Sequence, residues 1–178
     1  SYAVGNISEG KKLLMKATEE ALMAGISKMR AGNVLDDISG AVEDVANSYK
    51  MGIVRQYGGH GVGHVMHEDP FLFNYRVGDQ TLIKSGMVIA IEPMLNLGCD
   101  EVVVLDDKWS VVTKDGKPSA HFEHTVLATD GDPILMTTNL FFLFSFYIKT
   151  KDSSIITNYC CNSCRSITTY TFYTILTY

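Results

Sequence analysis

Cysteine is scarce where the chain looks most ordinary: of the first 138 of its 178 residues only Cys99 carries a thiol. One thiol builds no disulfide framework, which excludes a cross-linked secreted scaffold and agrees with a reducing compartment. Lysine and arginine never cluster and the formal net charge is -5. The concentrated positive surface that nucleic acid or an anionic membrane requires is therefore missing. The opening residues Ser1 to Gly5 show no basic segment followed by an apolar run, so no secretory signal is read there and a cytoplasmic location is expected. The apolar run from Leu140 to Ile148 is far shorter than the roughly 20 residues a membrane-spanning helix needs. Aspartate, finally, is absent before Asp36.

Apolar residues make up 46% of the chain, enough for one packed domain. Ser8 is placed to cap a helix running to about Arg30, with Met15, Leu22, Ile26 and Met29 recurring on one face. The methionines of that stripe are core, with no chemical role. After Ala31-Gly32, Asn33 is the expected cap of a second helix. Asp36 and Asp37 would lie in its first turn, where the helix dipole favours them, and Leu35, Ile38, Val42, Val45 and Tyr49 would form its buried face. From Ile53 the pattern changes to short β-rich runs near 53-57, 87-92, 101-105, 109-114 and 121-129, separated by Gly, Pro and Asp turns. Two helices followed by strands predict an α+β domain with the helices on one sheet face.

Composition shifts after Thr138. Residues 139-178 hold ten of the eighteen aromatic residues and twelve Ser or Thr, yet no Gly, Pro, Ala, Val or Glu. Among residue types whose codons begin with G, only Asp152 occurs there, as expected if A/T-rich DNA were being translated through readthrough or a frameshift. An authentic continuous frame across codon 138 would refute that reading. The tail is thus expected to stand outside the fold formed by 1-138, and its Cys161 and Cys164, with no second pair, are not expected to bind zinc.

Chemistry concentrates between Tyr57 and Pro70, which reads Tyr-Gly-Gly-His-Gly-Val-Gly-His-Val-Met-His-Glu-Asp-Pro, followed by Asn74-Tyr75. Glycines on both sides of His60 free the backbone as a close-packed metal or ligand site requires. Glu92 ends the apolar run Val88-Ile89-Ala90-Ile91, and Glu123 follows Ala120-His121-Phe122. A carboxylate in an apolar strand is costly unless paired, hydrogen-bonded or metal-bound. One imidazole and two carboxylates form a hard donor set suited to Mn, Fe(II), Co or Zn rather than to a thiolate zinc site.

The stretch from Tyr57 to Tyr75 resembles the signature of the type I methionine aminopeptidases: an aromatic residue, then Gly-His-Gly, an aliphatic residue and Gly, a later His, and Asn-Tyr. The resemblance continues through Ser85-Gly86-Met87, Ile91-Glu92-Pro93-Met94, Trp109 and Phe122-Glu123-His124-Thr125. It implies a pita-bread (creatinase/aminopeptidase-like) fold, of which 1-138 would hold the C-terminal half and the last helices of the N-terminal half. It implies metal-dependent removal of the N-terminal methionine from nascent polypeptides near the ribosome. In that family two divalent ions, Co, Mn, Fe(II) or Zn, sit in the site. Carried over, His60 and Glu92 would bind one metal and Glu123 would bridge both. Glu92 would also move a proton to and from the attacking water, and His67 would hydrogen-bond the substrate. Met66 and Trp109 would border the pocket for the methionine side chain, although both have an alternative as plain packing residues. His64 and His121 receive no role, Cys99 none, and His124 is read either as orienting Glu123 or the local backbone, or as a core histidine.

The family also uses two aspartates from an upstream strand hairpin and an earlier substrate-contacting histidine, so this chain carries three of five expected metal ligands. Weak, sub-stoichiometric metal binding and little hydrolysis by this chain alone are expected. Two alternatives are a non-catalytic pita-bread binding module and an aminopeptidase for Xaa-Pro bonds. Survival of His60, Glu92 and Glu123 disfavours the first; the compact loop between Glu92 and Trp109 and the Asn74-Tyr75 landmark disfavour the second.

Overall fold

Ser8 starts the first helix as its sequence position predicts: its hydroxyl accepts a hydrogen bond from the Lys11 amide at 3.4 Å, and helix α1 runs over Glu9–Ser27. The computed structural model describes residues 1-138; the expectations for the tail and for Cys161 and Cys164 fall outside the described residues. The helix ends at Ser27 rather than near Arg30, with Lys28 as its C-terminal cap. Arg30 instead forms an isolated parallel bridge with Thr129, and the Ala31 amide donates to the Thr129 carbonyl at 2.9 Å. The buried stripe is Leu14, Ala17, Ala21, Leu22 and Ile26, continued by Met29; Met15 lies at its partly buried edge.

Helix α2 covers Leu35–Ser48 with Val34, not Asn33, at its N-cap. The Asp37 carboxylate accepts from the Val34 amide at 2.9 Å, while first-turn amides of the kind a capping side chain would satisfy donate to loop carbonyls, Leu35 to Thr81 at 3.0 Å and Asp36 to Asp79 at 3.1 Å. Asn33 turns back and donates to the Lys28 carbonyl at 2.9 Å. Asp36, the first aspartate of the chain, clasps the loop beyond the sheet by accepting from the amides of Val77 and Gly78, both at 2.9 Å. Two such charge-assisted bonds on a half-buried carboxylate predict that Asp36→Ala costs about 1–2 kcal/mol while Asp36→Asn recovers part of it. Urea unfolding of the three proteins tests this, and an alanine variant as stable as the parent would contradict the clasp.

Ten short strands follow among the described residues. They are β1 (Gly52–Ile53), β2 (Gly59–Gly61), β3 (Glu68–Leu72), β4 (Val88–Ile91), β5 (Met94–Asn96), β6 (Val102–Val104), β7 (Val111–Thr113), β8 (Ser119–His121), β9 (His124–Leu127) and β10 (Ile134–Leu135). All ladders between them are antiparallel. One sheet has the order β10-β9-β4-β2-β3, a second β1-β5-β8, and β6-β7 form a separate ribbon. Strands β2, β3, β5 and β10 lie outside the runs that the sequence pattern predicts, and the run over 121-129 holds β9 together with His121, the last residue of β8 in a different sheet.

That division organises the domain. The antiparallel pair made of 88-96 and 119-127 is broken once on each side: β4 pairs with β9 up to Ile91↔His124, and β5 pairs with β8 from Met94↔His121. Between these registers the two chains leave one sheet and enter the other, and only a long Phe122 amide to Pro93 carbonyl bond at 3.4 Å spans the break. Each sheet has its own core. Leu22, Ile26, Met29, Leu35 and Ile38 pack with Leu72, Ile89, Ile91 and Val126, while Leu14, Ala17, Ala21, Val42 and Ala46 pack with Ile53, Leu95 and Ala120. Both helices therefore cover one side of both sheets, the α+β arrangement that the element pattern predicts. Among the described residues no helix is long and apolar enough to cross a membrane.

Candidate metal centre

Glu92 and Glu123 occupy the two sides of that break, one after β4 and the other before β9. A residue that interrupts a ladder has its backbone freed from the pleat, so its side chain can turn toward the same point as its counterpart's. The Glu92 backbone is held in place by Asn74, which is fully buried and donates its Nδ2 to the Glu92 carbonyl at 3.2 Å. His60 arrives from β2, where it pairs with Ala90. Cross-strand partners project from the same face, so His60 lies on the side opposite Ile89 and Ile91, away from the helices.

The imidazole of His60 sets its Nδ1 2.9 Å from the Gly61 carbonyl. In the neutral ring that contact assigns the proton to Nδ1 and leaves Nε2 with a bare lone pair, the form in which a histidine ligates a metal. Nε2 lies 3.4 Å from Glu92 Oε1, and both side chains are mostly buried. The His67 ring stands beside it, with centroids 4.1 Å apart, although His67 itself is exposed.

His121 also belongs to this group, and sequence reasoning assigned it nothing. Its Nε2 is 3.5 Å from Glu92 Oε2, is buried, and has no hydrogen-bond partner; the approach is close but not aligned for a hydrogen bond. Glu92, His121 and Glu123 each offer one donor atom, all within 4.8 Å of one another. Donors around a shared ion with bonds of about 2.1 Å stand roughly 3–4 Å apart, so small side-chain rotations close this set. A signal for His121 existed in the sequence: 121 and 123 share a face in an extended chain.

The remaining candidates are spread more widely. His124 turns to Thr137, whose Oγ1 lies 2.8 Å from Nδ1 and also accepts from the Thr125 amide at 3.1 Å. That hydroxyl has its proton left to give to the ring, and burial lowers the His124 pKa below its ordinary 6.5. His124 thus anchors the start of β9 to the end of the domain, the backbone-orienting alternative of the two. Met66 lies in the β2–β3 loop, 53% exposed, and Trp109 in the β6–β7 turn, 79% exposed. His64 is exposed in the same loop as Met66, and Cys99 donates its amide to Asp115 at 3.1 Å.

Electrostatics favour a cation at the break. Burial of the carboxyl first, and the neighbouring Glu92 charge second, raise the Glu123 pKa above the ordinary 4.5, with His121, His60 and His67 partly offsetting. A raised carboxyl pKa means that the metal-free fold prefers neutral Glu123. Its contribution to stability is present below the ordinary pKa and lost as pH rises through the raised one. Glu123 is exposed in area, so water screens part of the repulsion and the effect is small. Glu123→Gln in chelator should match the parent's thermal midpoint near about pH 4 and exceed it increasingly toward about pH 7. A variant that loses ground over that range would contradict the assignment. Two carboxylates and the unpartnered His121 Nε2, all within 4.8 Å of one another, fit one divalent cation: the anionic charge cancels and the nitrogen gains an electron-pair acceptor.

Comparison with known proteins follows the same residues. Residues 1–130 match metallopeptidase family M24. The chain is 46% identical over 144 residues to methionine aminopeptidase 1 of Mycobacterium tuberculosis, a match covering 77% of this chain and 54% of that protein. The structure resembles methionine aminopeptidase from Thermotoga maritima with a TM-score of 0.75 and 40% identity, covering 78% of this chain and 56% of that one. A prolidase from Pyrococcus horikoshii, 24% identical with a TM-score of 0.57 over 76% of this chain and 33% of that one, shares the fold alone. The chain spans about half the length of the curated relatives it matches. The fold is the pita-bread fold, and because the matched residues include both broken strands with His60, Glu92 and Glu123, this chain belongs to metallopeptidase family M24.

Proposed function

We propose that the polypeptide to which these residues contribute is a methionyl aminopeptidase, removing the first methionine from nascent chains in the cytoplasm. The observation that carries the reading is the convergence of His60, Glu92 and Glu123 at the break between two sheets, within a chain 46% identical to a methionine aminopeptidase. His60, Glu92 and Glu123 would hold Co, Mn, Fe(II) or Zn. Such ions, when bound, lower the pKa of water, polarise the peptide carbonyl and stabilise the charge that develops on it. Glu92, fixed from behind by Asn74, would shuttle the proton between the attacking water and the leaving amine. His67, exposed beside His60, would donate to the substrate's backbone. Exposed Met66 and Trp109 offer apolar surface for a methionine side chain.

Nothing in the donor set selects among the four metals, since sites of this kind take what the cell supplies. The test is a chimera in which residues 1-138 replace the matching segment of the Thermotoga maritima enzyme. It is expected to release methionine from Met-Ala-Ser and to leave Ala-Pro intact. A folded chimera that is inactive on both, or that prefers Ala-Pro, overturns the reading.

A further inference from the structure

We propose that His121 is a metal ligand, so that this segment holds one divalent ion between four donors of its own: His60 Nε2, Glu92, His121 Nε2 and Glu123. The inference rests on the metal-site reading above and adds to it a nitrogen that the family resemblance left without a role. Three observations converge on it. His121 Nε2 is shielded from water and makes no hydrogen bond, a costly state for a ring nitrogen unless something bonds to it. It lies 3.5 Å from Glu92 Oε2 while His60 Nε2 lies 3.4 Å from Glu92 Oε1, so the two imidazoles flank the same carboxylate from its two oxygens. Its donor atom falls with those of Glu92 and Glu123 inside one 4.8 Å group.

The backbone supports that aim. His121 is the last residue of β8, registered against Met94 of β5, and its amide donates to Ser1 Oγ at 3.1 Å. Two residues further on, Glu123 lies beyond the break. His121 and Glu123 therefore approach the ion from consecutive positions of one face, as Glu92 does from the facing strand. The resulting cluster pairs two anionic carboxylates and two neutral imidazoles with a dication, leaving no net charge at the joint. His60 Nε2 stands outside that 4.8 Å group, and it completes a tetrahedral set of two His and two carboxylates by turning in from its place beside Glu92 Oε1.

The experiment uses the whole 178-residue chain with Co2+ alone as the probe, read by calorimetry and by proton NMR of the hyperfine-shifted histidine ring signals. The wild-type chain is expected to take up one Co2+ with ring signals from two histidines. His121→Gln and His121→Ala should each bind about tenfold or more weakly and lose one set, His60→Gln the other, and His64→Gln neither. The two-histidine count in the wild type decides the matter even if a variant fails to fold. One histidine set in the wild type, or His121→Gln binding within twofold of the parent, overturns the proposal while leaving a metal site of His60, Glu92 and Glu123. No Co2+ uptake by the wild type overturns both.

Discussion

Replacing Glu92 by glutamine is expected to abolish the stabilisation that a divalent ion gives this chain. At a hundredfold excess over its dissociation constant a ligand adds about 2.7 kcal/mol to the folded state, and that increment should vanish in the variant. Glu92 is the common neighbour of the site: one carboxylate oxygen lies 3.4 Å from His60 Nε2 and the other 3.5 Å from His121 Nε2. Loss of its charge removes both a donor and half of the negative charge that offsets the cation. Partners outside the ligand sphere already cost roughly 10- to 100-fold in affinity when removed, so a loss of about a hundredfold or more is expected here. Without metal the sign reverses. Glutamine relieves the repulsion that helps raise the Glu123 pKa, so the variant in chelator should melt no earlier than the parent. Thermal melts with and without Mn2+ separate the two effects, and a variant still stabilised by the ion to within a few tenths of a kcal/mol would sink the assignment.

Gly59→Ala should be nearly as damaging, although the residue touches no ligand. A Cβ built on Gly59 would meet the Ala90 carbonyl oxygen far inside contact distance, and one on Gly61 would meet the Asp69 carbonyl oxygen in the same way. Those oxygens are backbone of the strands on either side, so no side chain can swing away to make room. Strand β2 must move away from β4, and the pairing His60↔Ala90 moves with it. About 3 kcal/mol of destabilisation is expected, together with weaker metal binding as His60 leaves Glu92. Gly131→Ala is the control, since its Cβ would meet only the Thr129 hydroxyl at 3.9 Å, and should change stability by less than about 0.5 kcal/mol. Equal behaviour of the two variants in urea unfolding would show that the close approach is not limiting.

These glycines also explain what the sequence disclosed and what it hid. The helices were legible because Leu22, Ile26, Ile38 and Val42 recur at helical spacing and are buried where that spacing places them. Strand β2 was hidden because Gly-His-Gly has no strand propensity of its own; it is a strand because β3 and β4 close on it from both sides. The break at Phe122-Glu123 was hidden for a related reason. The sequence reads 121-129 as one extended run, and the change of sheet beside it is a property of the partners, Leu95 opposite Ala120 and Ile89 opposite Val126. His60, Glu92 and Glu123 could be named from motif and polarity alone. His121 carried only the weaker signal of sharing a face with Glu123, because its significance is the orientation of one nitrogen toward a carboxylate that arrives from another strand.

The break in the ribbon has a mechanical consequence. The chain changes sheets at the carboxylates, so the donors of one ion are carried by two separately packed cores, the one around Ile89 and Val126 and the one around Leu95 and Ala120. The centre is a joint, and the spacing of its donors reads the angle between two sheets. An ion seated there acts as a rivet, and a cavity cut in either core, far from any ligand, is felt as a change in affinity.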